Sequence, residues 1–235
     1  MSGSDGARLV LVRHGQASLG SDDYDRLSPL GHRQAQRVAG RLSGASMASA
    51  VFWTGTLRRH RETLSALLDS GASSDVETSA DLNEFSTRGL VRAGLREASK
   101  LGMDIPPREH LADPAVHLDR LLLWFGPVMA AWQDGRLRDP EVGSWAAFSR
   151  RVLRPSRAWA SSLNRGRSVI VVTSAGVIAT VVAALAGRDL AWQRALAVKL
   201  YNASVSELAL RDDTWTIETC NCTRHLDDEG LRTLA

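Results

Sequence analysis

Three short segments carry side chains that can bind and transfer a charged group. The first is Arg13-His14-Gly15, which directly follows the apolar run Leu9–Val12. An imidazole at the tip of a buried strand is held rigidly. The adjacent guanidinium disfavours protonation of that imidazole and offers donors to a phosphate, and Gly15 lets backbone approach a ligand closely. Standing alone, the triplet also fits a capped strand with a surface histidine, because short motifs often arise by chance.

The other two segments lie further along the chain. Thr54–Arg59 stands at a second predicted strand-to-helix junction, where backbone N–H groups favour an anion and an arginine in the first helical turn can reach the same site. A solvated arginine cluster accounts for this segment when it is taken alone. Glu84, after Leu82-Asn83, is a candidate acid, although most glutamates are simply solvated.

Two strand–helix pairs are predicted near the start of the chain. The runs Leu9–Val12 and Val51–Thr54 are typical of short buried strands, and Ser28-Pro29 is typical of a helix start. Alternating strands and helices indicate a parallel sheet with right-handed crossovers. Because ligands of such sheets lie beyond the carboxyl ends of the strands, the first two chemical segments are both expected at that edge.

Later segments complete the predicted sheet. Ser168–Thr173 predicts a core strand, and Gly176–Ala186, apolar on almost every side, predicts a buried helix. Val205–Leu210 alternates in polarity and Thr214–Thr219 is rich in β-forming residues, so we expect a terminal hairpin with Asp212-Asp213 at its turn.

Residues 86–162 have a different pattern. They are mostly helical in character, with apolar stripes, and the second stripe is expected to bend at Pro155. We therefore predict one α/β domain spanning residues 1–235. Its architecture would be a three-layer α/β/α sandwich with a mostly parallel sheet, over which residues 86–162 form a helical insertion or cap.

The composition excludes several classes of protein. Of the 235 residues, 44% are hydrophobic and 23% charged, which is ordinary for a soluble globular chain rather than a disordered or fibrous one. A net charge of +3 is too small to indicate a nucleic-acid partner. No apolar run is long enough to span a membrane, and no secretory signal is evident. With only two cysteines, a reducing, cytoplasmic location is expected.

Cys220, Cys222 and His225 are the metal-site candidate that the sequence offers. A structural zinc site requires four ligands, usually at wider spacing, so we expect no bound metal. A homodimer is left open.

Taken together, the segments resemble a known family. The matching text is LVRHGQA from Leu11, LSPLGHRQAQRVAGRL from Leu27, VFWTGTLRRHRET from Val51, LNE from Leu82, VIVVTSAGVIAT from Val169 and YNASVSEL from Tyr201. Their order and spacing are similar to those of the histidine phosphatase superfamily, also called the phosphoglycerate mutase-like family. The resemblance covers most of the chain but not residues 86–162, a region that varies within the family.

The resemblance implies roles for individual residues. His14 matches the nucleophile that becomes phosphohistidine, and Arg13 and Arg59 match the phosphate-binding arginines. Glu84 matches the acid that protonates the leaving oxygen, and Gly15 belongs to the phosphate-binding segment. The implied activity is a phosphomonoesterase acting on a small phosphorylated substrate in two steps, without metal or cofactor.

One position departs from the family pattern. Ser174 stands where the family has a second catalytic histidine that donates to the phosphoryl oxygens. As a phosphate-binding residue, a serine can donate only a single neutral hydrogen bond. We therefore expect reduced or altered activity. The other histidines are expected at the surface or in packing, and His60, one residue after Arg59, is the best available substitute.

Two alternatives remain open at this stage. One is a pseudophosphatase that binds a phosphorylated ligand without cleaving it. The other is a phosphoglycerate mutase, which Gly20 disfavours because many mutase-like members carry asparagine at this point.

Overall fold

The computed structural model describes residues 6–18, 23–42, 49–69, 75–114 and 116–234. Within these residues the strands are β1 (Arg8–Arg13), β2 (Val51–Thr54), β3 (Val76–Thr78), β4 (Val169–Thr173), β5 (Val205–Arg211) and β6 (Thr214–Cys222). They form one sheet in the order β3-β2-β4-β1-β5-β6. The first four of these run parallel, β5 is antiparallel to β1, and β6 is antiparallel to β5.

Helices connect and cover the strands. They are α1 (Pro29–Arg41), α2 (Arg58–Leu68), α3 (Thr87–Glu97), α4 (Arg108–Ala112), α5 (Leu118–Gln133), α6 (Trp145–Leu153), α7 (Ser156–Asn164), α8 (Ala175–Leu185) and α9 (Leu190–Ala197). Short 3₁₀ turns occur at Ala80–Leu82, Ala98–Leu101 and Glu229–Leu231. The predicted start of α1 is confirmed, because Ser28 Oγ accepts a hydrogen bond from Gly31 N at 3.0 Å.

The sheet is buried on both faces. On one face Val10, Phe52 and Ile170 pack with apolar residues of α1 and α2. On the other, Leu11 and Val171 pack with α8 and with helices α5 to α7. Burial on both faces explains the uninterrupted apolar runs Leu9–Val12 in β1 and Val169–Val172 in β4. The predicted three-layer α/β fold with a mostly parallel sheet is therefore confirmed.

Residues 86–162 contain α3 to α6 and most of α7. Trp132, Phe148 and Trp159 from this segment are almost fully buried and share one core with α8. The bend expected at Pro155 is a complete break, since α6 ends at Leu153 and α7 begins at Ser156. Proline lacks the N–H that a continuous helix would need there.

The predicted terminal hairpin is also confirmed. Asp212 and Asp213 join β5 to β6, and both have positive φ, 47° and 57°. This is the backbone of a type I′ turn, whose twist matches that of the flanking strands. Aspartate tolerates the left-handed region better than most residues do, but glycine adopts it without steric cost.

Asp213→Gly is expected to stabilise the protein by about 0.5 kcal/mol, because glycine relieves the left-handed strain at this turn. The free energy of unfolding is measured by urea denaturation. Asp69→Gly is the matched control: Asp69 ends α2 with φ −63°, so glycine there gains nothing and should destabilise. An equal loss of stability in both variants would contradict this account of the turn.

Candidate active site

The carboxyl ends of β1 and β4 lie side by side and place the first site residues. Arg13 and Thr173 are partners in the parallel register, and the His14 N–H donates to the Thr173 carbonyl oxygen at 2.9 Å. The residues that follow, His14 and Ser174, therefore emerge at the same edge of the sheet. The first turn of α2, the Leu82–Glu84 segment and the start of α8 complete the site.

Hydrogen bonds determine where His14 carries its proton. Nδ1 lies 2.7 Å from the Gly15 carbonyl oxygen, which can only accept, so Nδ1 is the donor. Nε2 is then the unprotonated nitrogen, and Arg59 Nε donates to it at 3.2 Å. The ring is 4% exposed. The lone pair of Nε2 is thus held in a fixed direction beside a guanidinium.

The surroundings of His14 keep the imidazole neutral. Burial lowers its pKa well below the ordinary 6.5, and the charges of Arg59 and Arg13 lower it further. A neutral imidazole with a fixed lone pair is a nucleophile rather than a cation.

One buried and one partly buried arginine make the site suitable for an anion. Arg59 is 8% exposed and forms an ion pair with Asp25, Nη1 to Oδ1, at 2.6 Å. Arg13 donates from Nη1 to the Leu200 carbonyl oxygen, while its Nε is buried with no partner in the described structure. Burial lowers the pKa of Arg13 to about 10. An orphaned donor on a buried cation is a site where an anion would be stabilised.

Arg58 and Arg59 are adjacent in sequence but differ in direction. The Arg58 side chain is half exposed and pairs with Asp23 and Glu62, each at 2.6 Å. Only Arg59 of this pair contacts His14.

Glu84 is held against the first turn of α8. Its Oε2 accepts from Gly176 N at 2.7 Å and its Oε1 from Phe85 N at 3.2 Å. Burial raises the pKa of this carboxyl above its ordinary value, despite these hydrogen bonds. A Cβ on Gly176 would lie 2.5 Å from Glu84 Oε1, so a glycine is required beside the carboxyl group.

Gly15 lies where only a glycine fits. Its N–H donates to Thr63 Oγ1 at 3.0 Å, and its carbonyl accepts from His14. A Cβ at this position would collide with the carbonyl group of Gly31 in α1. The close approach that requires glycine is therefore between two backbone segments, and the place of Gly15 in the phosphate-binding segment stays a prediction.

His60 belongs to the site, where the sequence argument favoured a surface or packing role. Its side chain is fully buried, and Nε2 lies 2.7 Å from Ser174 Oγ. The His14 and His60 ring centroids are 5.5 Å apart. Helical spacing indicates that His60 is buried, since it precedes Leu64 by four residues and Leu67 by seven, on the buried face of α2.

The other candidates lie away from this centre. Within the described residues, no group of three His, Cys, Asp or Glu side chains is placed to hold a metal ion, and Cys222 Sγ instead accepts from Arg41 Nη1 at 2.8 Å. No helix in the described ranges is long and apolar enough to cross a membrane. Gly20 lies outside the described residues.

Comparison with known proteins decides the family. The sequence profile of the histidine phosphatase superfamily (branch 1) matches residues 9–102 and 125–223, most of the chain. The protein belongs to the histidine phosphatase superfamily. The matched segments include His14, Arg59, His60, Glu84 and Ser174.

Individual relatives agree with this assignment. Phosphoglycerate mutase-like protein 4 of Arabidopsis thaliana is 28% identical over 236 residues, which span 97% of this chain and 90% of the relative. The alpha-ribazole phosphatase of Shigella flexneri has a TM-score of 0.63 at 19% identity, covering 92% of this chain and 96% of that one. A mycobacterial glucosyl-3-phosphoglycerate phosphatase with inorganic phosphate also has a TM-score of 0.63, at 21% identity and 94% and 99% coverage. The two structures share the fold of this superfamily member.

Inorganic phosphate is expected to stabilise the protein against unfolding, by about 2.7 kcal/mol at one hundred times its Kd, because the anion would occupy the space between the buried arginines. Arg59→Met should abolish this stabilisation. Thermal unfolding with and without phosphate, at ionic strength matched with chloride, measures it.

Arg58→Met is the matched control, since Arg58 pairs with carboxylates outside the site and its removal should leave the effect of phosphate intact. A phosphate response that is lost in Arg58→Met but kept in Arg59→Met would contradict this assignment of the anion site.

Proposed function

We propose that the protein is a phosphomonoesterase that forms a phosphohistidine on His14 and acts on a small phosphorylated molecule. The observation that carries the proposal is the protonation of His14. Its Nδ1–H donates to the Gly15 carbonyl oxygen, so Nε2 is unprotonated, and its lone pair accepts from Arg59 Nε in a buried, positively charged site. Backside attack on phosphorus requires such a nitrogen beside groups that neutralise the phosphoryl oxygens.

In the first step, the lone pair of His14 Nε2 forms a bond to phosphorus and the bond from phosphorus to the ester oxygen breaks. The leaving oxygen takes the proton of the Glu84 carboxyl. A raised pKa suits this role because it keeps the carboxyl protonated closer to neutral pH. Arg13 and Arg59 bind the phosphoryl oxygens throughout the transfer.

In the second step, a water molecule transfers a proton to the Glu84 carboxylate, and the oxygen of that water attacks phosphorus. The bond between phosphorus and Nε2 breaks, and orthophosphate leaves. Glu84 regains its proton and His14 its neutral form, so the cycle needs neither metal nor cofactor.

Two features support a small phosphorylated substrate and a modest rate. The structural relatives named above act on alpha-ribazole phosphate and on glucosyl-3-phosphoglycerate, which indicates a small phosphorylated metabolite. Ser174 in place of a second catalytic histidine removes a cationic donor, and the loss of one preorganised donor costs ~10²–10³ in rate. The proposal requires no nucleic acid or membrane and fits a cytoplasmic enzyme.

His14→Ala is expected to abolish release of orthophosphate from a panel of phosphomonoesters, because no other group on the site supplies the nucleophile. It should also abolish the alkali-stable, acid-labile phosphoprotein trapped by rapid quenching with a labelled substrate. Both quantities are measured beside the wild type.

His32→Ala is the control. His32 is an exposed histidine of α1, so this variant should release orthophosphate at the wild-type rate. Equal turnover by wild type and His14→Ala would refute the proposed nucleophile.

The pH dependence of kcat/KM is expected to be bell-shaped, with the acid limb set by His14 and the alkaline limb by Glu84. Activity requires neutral His14, whose pKa is held well below 6.5, so the rate falls only at low pH. It also requires protonated Glu84, whose pKa is raised above 4.5, so the rate falls as pH rises through that value. Glu84→Gln should lower kcat/KM by ~10²–10⁴-fold. It should also abolish the fall in kcat/KM at high pH. If Glu84→Gln kept the wild-type fall in kcat/KM at high pH, a group other than Glu84 would be the acid.

A pseudophosphatase is the second candidate, and Ser174 is the observation that favours it. A pseudophosphatase would be stabilised by phosphate but would hydrolyse none of the phosphomonoesters in the panel. A phosphoglycerate mutase would instead interconvert the two phosphoglycerates, retaining the phosphohistidine against water.

A further inference from the structure

Ser174 begins helix α8 but its side chain does not cap the helix. The backbone has the extended conformation of an N-cap, φ −107° and ψ 166°, yet the hydroxyl makes no capping hydrogen bond. At the starts of α1, α3 and α6, Ser28, Ser86 and Ser144 each accept from a backbone N–H of their own helix. In α8 the Gly176 N–H is bound by Glu84 instead. The Ser174 hydroxyl is therefore committed to some other partner.

That partner is His60. Nε2 lies 2.7 Å from Ser174 Oγ, and the two side chains are 0% and 2% exposed respectively. The ring fits there because Gly55 has no side chain, since a Cβ on Gly55 would collide with Nδ1 of His60. His60 and Ser174 are 114 positions apart in the sequence, so the pair is created by the fold.

The hydrogen-bond partners of His60 assign its proton. Nδ1 is buried and has no partner in the described structure. A neutral imidazole carries one N–H, and a buried N–H without an acceptor is costlier and rarer than an unused lone pair. The proton is therefore on Nε2, which donates to Ser174 Oγ. The hydroxyl then accepts from His60 and keeps its own proton for a different acceptor.

We propose that His60 is a positioning residue whose Nε2–H fixes Ser174 Oγ so that the serine hydroxyl donates its proton to a phosphoryl oxygen at His14. The inference rests on the proposed function and deepens it. Ser174 follows Thr173, which binds the His14 N–H, and the His60 ring is 5.5 Å from the His14 ring, so the three groups lie close together. The histidine and the serine together supply, from two elements, one oriented donor to the transferred group.

The kinetic test compares four variants. Ser174→Ala removes the donor and should lower kcat by ~10²-fold. His60→Leu keeps the ring's approximate volume without its N–H and should lower kcat about 10- to 100-fold with little change in KM. His60→Gln offers an amide N–H at the place of Nε2 and should retain most activity. The double variant His60→Leu/Ser174→Ala should be no slower than Ser174→Ala, because His60 acts only through the serine.

His110→Leu is the control for placing leucine at a buried histidine, since His110 is 7% exposed in α4, away from the site. It should turn over as the wild type does. Full activity in His60→Leu, or losses in the two single variants that multiply in the double variant, would overturn the proposal.

A spectroscopic readout does not depend on turnover or on any His60 variant folding. In the wild type, ¹H–¹⁵N correlation spectra of the histidine rings should show His60 as the Nε2–H tautomer, and an Nδ1–H tautomer would overturn the proposal. If the wild type hydrolyses no phosphoester, the proposed function is refuted but the inference about His60 and Ser174 is not. The tautomer, and weaker binding of orthophosphate by Ser174→Ala, then still test the donation by His60 and the role of the serine hydroxyl.

Discussion

The site depends on burying two guanidinium groups beside a histidine that must stay uncharged. Arg59 donates to Nε2 of His14, and with Arg13 it lowers the pKa of that ring. Water, the usual partner of such charges, is largely excluded, because both residues of the contact are under one-tenth exposed. Positive charge without a full set of partners is costly in a protein interior, and a bound phosphoryl group would relieve that cost. Affinity for an anion is thus a consequence of how the resting site is built.

The parallel sheet supplies the rigidity that this arrangement requires. Adjacent ends of β1 and β4 place His14 and Ser174 through backbone hydrogen bonds. Two glycines then allow close contacts that side chains would block. Gly15 packs on Gly31 at the start of α1, and Gly176 leaves room for the Glu84 carboxyl. Glu84, His14 and the arginines are therefore all held by backbone segments in contact with the strand ends, which limits how far any of them can move.

The donor set at the end of β4 differs from what the family resemblance implies. The resemblance implies a histidine at position 174, and the chain has Ser174 there, with His60 directly after Arg59. The buried imidazole beside Ser174 comes from α2, and in our proposal its N–H acts on the phosphoryl group only through the serine hydroxyl. A neutral relay of this kind stabilises developing charge less than a direct imidazolium does.

The sequence by itself indicated the main strands and helices, a terminal hairpin with Asp212-Asp213 at its turn, the family, and candidate roles for His14 and the arginines, because these depend on local patterns and on motifs near strand ends. It also showed Ser174 at the place where the resemblance implies a second catalytic histidine. Only the tertiary structure decided that His60 enters the site beside Ser174 and that Gly15 packs against the start of α1. These depend on contacts between residues that are distant in the sequence, up to 114 positions apart, and periodicity along one helix or strand carries no information about such pairings.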